Sequence, residues 1–488
     1  HMLDADDKRL LDSARQGDLA RLTRALDQGA CIDAATKGLK TAMHMAAWFG
    51  HESVVRLLLD RGANLHAVTY GKQTALHIAT RRGHESVVRL LIDRRADLHA
   101  TSGAMWNALH VATRFGREPL ARLLLDRGAD LHATTSDGET PLHLVARCGH
   151  QSLARWLIDH GAGIDVESRN YSTPLHVAAW SGRTSVARLL LDQGAIVHAT
   201  TSNNRTPLHL AVQQGHESLV RLLLDRGASI EAGFKGLIAA ASAYGGERCH
   251  TTRPLHIAIE ANHDRVAQLL IDRGADIHAR TPRNQTPLHF AIERRRESIA
   301  RLLIDRGADI HAVTDDDRTA LHIAVEQDQE PIVRLLLDRG ADIHAETNFD
   351  HLTPLHMAVQ ERHGPIVQLL IERGANLNVP TKRSKHTPLH LAAIKGYRRG
   401  AILLVDSGAS KTIWNVRECV TSMKVYCNNH LLGPMGGMGL LTFGLQSKCK
   451  TPEHVATTPS LARLIRERGT HALLLVYAMQ HLGIHGEF

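Results

Sequence analysis

Thirty-four histidines are the first residues in this chain that could do chemistry. One series stands in the motif T-P-L-H or a close variant: His44, His77, His110, His143, His176, His209, His256, His289, His322, His356, His390 and His454. A second series, His66, His99, His132, His198, His278, His311 and His344, ends the segment G-A-D-I-H or its variants. Imidazole is a zinc ligand, so metal binding has to be weighed. Zinc needs donors about 2 Å from one ion, whereas one histidine per helical layer leaves rungs about 8–10 Å apart. A ladder of single rungs is a poor metal site, and no metal is expected. Cys419, Cys427, His430 and Cys449 fall in one stretch, but their spacing matches no standard zinc module and reads as unrelated thiols in a loop. No P-loop, G-x-S-x-G or H-E-x-x-H is present, and no cofactor is implied.

The spacing of the histidines leads to the elements that carry them. His44 to His209 recur at a 33-residue period, as do His256 to His322, and His356 and His390 follow at 34. Arg205 to Ala232, RTPLHLAVQQGHESLVRLLLDRGASIEA, reads as one unit. Thr206 is an N-cap and Pro207 suits the first helical turn. Gly215 ends a first short helix, a leucine-rich second helix follows, and Gly227 sits where a C′ glycine belongs. Two helices of about ten residues cannot bury that much leucine alone, so each unit needs neighbours.

T-P-L-H-x-A, then G-H, then L-L-L-x-x-G-A-D at this period is the ankyrin signature. The chain resembles the ankyrin-repeat family over roughly residues 5–410, with a degenerate unit near the C-terminus. The resemblance implies an all-α solenoid of stacked helix-turn-helix units joined by short hairpin loops. It divides the sequence into an N-terminal capping repeat (1–35), six repeats (36–232), an insertion loop (233–252) and five repeats (253–410). An irregular Gly-rich insertion (411–450) and a degenerate final repeat with a closing helix (451–488) complete it. One-residue insertions fall near Phe349 and near Arg383, and Arg95 replaces a C′ glycine, which should strain that helix end modestly. In the family the T-P-L-H histidine hydrogen-bonds locally and to the adjacent repeat's backbone. The second histidine series would be turn residues.

The net charge of +8 invites a nucleic-acid reading. Much of that charge recurs in L-D-R-G-A-D segments where Asp and Arg alternate, which is not a basic stripe, so nucleic acid is not expected as a partner. Six widely spaced cysteines and no apolar run approaching 18 residues fit an intracellular protein, cytoplasmic or nuclear, without membrane association. His1-Met2 reads as an expression remnant, which leaves room for a larger natural protein.

In ankyrin folds the concave groove is lined by residues before T-P-L-H and by the two before the interhelical glycine. Those positions hold Trp48, Phe49, Tyr70, Arg81, Arg82, Trp106, Arg114, Phe115, Tyr171 and Trp180, with Arg147 among them. Aromatics make up only 4% of the chain, yet three of its five tryptophans fall here. Trp156, in an L-L-L slot, reads as core. Further along, the same positions turn polar and acidic: Glu260, Glu293, Glu326, Gln360 and Glu361, with Asp315, Asp316 and Asp317 at one hairpin tip. Exposed Trp, Tyr and Arg on one face are the composition of a binding hot spot. The first expectation is therefore a scaffold that binds a protein partner through an aromatic and cationic half-groove beside an acidic one. The second is a small-molecule or catalytic pocket, with Leu237 to Ala243 folding over it and a desolvated Glu260 or Glu293 as acid or base. The sequence favours binding over catalysis.

Overall fold

The computed structural model describes residues 4–236, 250–281 and 283–409. Among these residues it contains twenty-four helices, arranged as consecutive antiparallel pairs, and two three-residue strands. The chain forms two compact units, His1–Pro282 and Arg283–Phe488.

Each pair is built by the same local chemistry. In the pair Pro207–Gln213 and Glu217–Asp225, Thr206 has extended backbone and caps the first helix, with Pro207 at its first turn. The capping box is completed by histidine rather than Glu or Gln. The Thr206 N–H donates to His209 Nδ1 at 3.0 Å, and the same ring meets Ala232 O through Nε2 at 2.7 Å. Equivalent bonds run from His77 to Trp106 O, His143 to Ser172 O, His176 to Arg205 O and His356 to Val379 O. Each ring thus ties its own helix start to the backbone of the hairpin that leads into the following repeat, as the resemblance implies.

The apolar residues bury themselves between neighbours. Leu175 and Ala178 of one first helix, and Val186 and Leu190 of its second, have no exposed surface. A buried leucine is worth about 1.5–3 kcal/mol, gained only when the adjacent pair is in place. The N-terminal pair, Ala5–Gln16 and Leu19–Asp27, opens on Asp4, whose carboxylate caps the Asp7 N–H. Arg95 takes φ 66°, the left-handed conformation expected from its place at a helix end. The second histidine series is exposed, with His99 and His132 donating their backbone N–H to Asp97 and Asp130 two residues earlier. These are turn residues.

A third histidine set was not legible as a role in the sequence. His51, His84, His216 and His263 cap the second helices, and each reaches back through Nε2 to the preceding pair, at Arg15 O, Trp48 O, Trp180 O and Gln213 O, 3.0–3.2 Å away. Glycine is required opposite them. A Cβ on Gly50, at φ 78°, would stand 2.5 Å from His84 Nδ1, and one on Gly17 2.7 Å from His51 Nδ1.

The all-α expectation has one local exception. Phe234–Gly236 pairs antiparallel with His250–Thr252, so the flanks of the first insertion close as a two-stranded ribbon. Leu237 to Ala243, the second insertion and the degenerate final repeat lie outside the described residues. In the second unit the two one-residue insertions meet: the Arg383 guanidinium lies 4.0 Å over the Phe349 ring, and its N–H donates to Asp350.

Candidate functional site

The candidate surface of the first unit is made by hairpin tips and by the last turns of the first helices. The tips are held in file by one backbone bond per step: Tyr70 N–H to Gly38 O, Gly103 to Gly71, Ser136 to Ala104, Arg169 to Asp137 and Ser202 to Asn170, all 2.9–3.1 Å. The last turns are held by the third histidine set, since Trp48 and Trp180 offer the accepting carbonyls. Backbone at both edges is therefore anchored, and the side chains it presents are preorganised.

Five of the residues singled out from the sequence come together in cation–ring contacts. The half-buried Trp48 ring lies between Lys40 Nζ at 5.6 Å and the Arg82 guanidinium at 3.6 Å. Arg81 lies 5.3 Å from the centre of Phe115, and Arg15 5.8 Å from Phe49, which also stacks on His51. Arg114 Nη1 points at Cys148 Sγ, 2.8 Å away. The others stand apart. Tyr70, Tyr171 and Trp180 are 85, 55 and 47% exposed, and with the half-buried Trp106 they make no ring or cation contact among the described residues. Trp106 contributes its carbonyl to His77 at 2.8 Å.

Charge is compensated differently on the two kinds of helix. On four second helices of the first unit an arginine pairs with a glutamate one turn back: Arg56 with Glu52, Arg89 with Glu85, Arg122 with Glu118 and Arg221 with Glu217. Arg155 and Arg188 have Gln151 and Thr184 there. Arg94, Arg127 and Arg226 reach Asp60, Asp93 and Asp192 of the preceding repeat. Such exposed pairs are worth about 0–1 kcal/mol each. On the candidate surface Arg15, Lys40, Arg81, Arg82 and Arg114 form no ion pair among the described residues, while Arg147 is neutralised by Glu139 eight residues earlier.

Trp156 corrects the sequence reading. It is half-buried on a second helix, with the His160 ring tilted against it at 4.0 Å and Arg122 at 5.4 Å, and lies outside the fully buried core. His160 occupies the place of the ladder arginine, so it turns back onto its own helix instead of reaching Asp126.

The acidic positions divide between the units. Glu260 is half-buried in the first. In the second, Glu293 is exposed and accepts from Gln285 Nε2 at 2.8 Å, while Glu326 pairs with Arg318. Acid–base chemistry at neutral pH would need desolvation, which Glu293 lacks.

Sequence reasoning overlooked Leu39 and Met105. They occupy the hairpin position of Tyr171, two residues before the N-cap, and all three have left-handed backbone, φ 56°, 57° and 55°. Leu39 and Met105 are 48 and 49% exposed. Lys72, Gly138 and Asn204 hold the intervening equivalents, also at positive φ. The repeat register was the signal that could have found them.

Matches to “Ankyrin repeats (3 copies)” cover residues 65–135, 109–201, 163–234, 197–281, 255–347 and 342–415, and “Ankyrin repeat” covers 39–70. The chain belongs to the ankyrin-repeat family. No curated protein matches it significantly. Ankyrin repeats generally mediate protein–protein interaction, so this ankyrin-repeat protein is a binding scaffold with a protein as its partner. Among the described residues no helix is long and apolar enough to cross a membrane.

Proposed function

We propose that this ankyrin-repeat protein binds an intracellular protein partner on the hairpin and first-helix face of its first unit, through Trp48, Phe49, Tyr70, Arg81, Arg82, Trp106, Arg114, Phe115, Tyr171 and Trp180. Leu39 and Met105 join them. The observation that carries this reading is the hairpin tips. A left-handed backbone costs a non-glycine residue about 1–2 kcal/mol, and exposing leucine, methionine or tyrosine there gains the folded chain nothing. The left-handed position recurs at Lys72, Asn204, Asn284 and Asp317, so what marks these tips is their uncovered apolar side chains, the pattern of a site whose missing contacts belong to a partner. The tryptophans and tyrosines supply rigid contact area and the arginines supply directed hydrogen bonds. Nothing favours the small-molecule reading of Glu260 and Glu293 to the same degree.

Paired affinity purification from native lysate tests the site. The baits are the full chain, a Trp48→Ala/Trp106→Ala/Trp180→Ala variant and a Trp156→Ala control, matched by circular dichroism. The expected result is a protein captured by the intact chain and the control and lost with the triple variant. Equal capture by all three would refute the site.

A further inference from the structure

We propose that the partner is an extended acidic segment whose large apolar residues stand about 20 Å apart, with carboxylates between them. This rests on the preceding reading of the surface and adds the chemistry of its occupant.

The two kinds of helix differ in how charge is compensated. Arg56, Arg89, Arg122 and Arg221 of the second helices are each matched by a glutamate of their own helix, and Arg155 and Arg188 have no acid there. Arg15, Arg81 and Arg82 have aromatic rings rather than carboxylates as neighbours. A guanidinium whose neighbour is a ring has N–H donors to spare, and a carboxylate takes two of them at once. Lys40 adds a further unmatched charge beside Trp48.

The repeat register sets the spacing. Leu39, Trp48 and Phe49 belong to one repeat, Met105, Trp106 and Phe115 to the next but one, and Tyr171 and Trp180 to the next but one again. The repeats between carry Tyr70 with Lys72, Arg81 and Arg82, then Arg147 with Glu139, so their surface is mainly charged. Helical layers pack about 8–10 Å apart, so alternate layers place apolar clusters roughly 20 Å apart. A strand-like chain advances about 3.3 Å per residue, which matches anchors about six residues apart.

Nucleic acid fits less well. A phosphate at every step would meet Asp137 and the Glu139 that already pairs with Arg147.

The test uses the full chain and fluorescein-labelled peptides of about fourteen residues, with phenylalanines six apart and glutamates between. Comparison probes replace glutamate by glutamine, cluster the phenylalanines at one end, or are oligothymidylate of equal charge. The spaced acidic peptide is expected to bind about tenfold or more tightly than the glutamine and clustered peptides at low salt, an advantage that shrinks as salt is added. Arg81→Gln/Arg82→Gln should remove that advantage, and Arg114→Gln should reduce it, while the second-helix control Arg56→Gln/Arg89→Gln leaves it intact. Equal binding of the glutamine peptide, itself lost with the triple tryptophan variant, would overturn the acidic occupant and leave the surface standing. So would capture of a native partner by a chain that binds no peptide. Tighter binding of oligothymidylate would assign the surface to nucleic acid. Equal losses from the Arg81/Arg82 and Arg56/Arg89 pairs would overturn the surface itself.

Discussion

At the scale of single residues, the T-P-L-H histidine is a structural group whose protonation state is set by its bonds. His176 Nδ1 receives the Thr173 N–H at 3.2 Å, so Nε2 must carry the proton it gives to Arg205 O. Only the neutral ring can do both. Burial, the largest cause, lowers its pKa to about 4. Replacing it by alanine leaves a buried helix start and a hairpin carbonyl unpaired. His176→Ala is expected to cost about 2–4 kcal/mol, read from the shift of the urea midpoint. Arg95 tests the opposite sign. Its φ of 66° is cheap only for glycine, so Arg95→Gly should stabilise by about 1 kcal/mol, seen as a raised melting temperature with unchanged partner capture.

At the scale of elements, the glycine that ends a first helix and the histidine that caps the next repeat's second helix form one joint. Gly50→Ala would combine φ 78° with a contact of 2.5 Å to the His84 ring, which cannot retreat without giving up Trp48 O. A loss of about 2–3 kcal/mol in urea unfolding is expected. The hairpin tips separate stability from binding. Leu39→Gly/Met105→Gly relieves two left-handed side chains and should leave stability equal or higher by about 1 kcal/mol. The same variant should capture less partner. Lower stability with full capture would mean that the tips serve the fold.

At the scale of the whole molecule, the buried histidines make the array sensitive to acid. His110, His143, His176, His209, His256 and His322 are each lowered by burial from 6.5 to about 4. Between those values the unfolded chain binds protons that the folded chain refuses. Their stabilisation is therefore complete above about pH 6.5 and is lost as the pH falls toward 4. Each contributes a slope of about 1.4 kcal/mol per pH unit in that window. Helical circular dichroism in urea should show a midpoint that is steady from pH 8 to 7 and falls steeply from 6 to 4.5. A flat midpoint across that window would contradict the neutral-ring network.

Residues that repeat were legible in one dimension, and residues that do not repeat were legible only by exception. Thr206, Pro207, His209, Gly215 and Gly227 each do their work through local backbone geometry, and every copy repeats the message, so helix limits and caps could be read from spacing. The concentration of tryptophan and arginine at variable positions could be read for the same reason: a fixed register exposes what departs from it. Contacts between repeats could not be read. That Arg82 lies on Trp48, that His84 holds the Trp48 carbonyl, and that Trp156 is half-buried beside Arg122 rather than core depend on side-chain directions in layers more than thirty residues apart. The sequence by itself determined a stack of helix pairs, because each pair leaves its leucines uncovered until the next is added. Only the tertiary structure decided which arginines are matched by carboxylates and which remain open, because that depends on which side chains two neighbouring layers bring within a few ångströms.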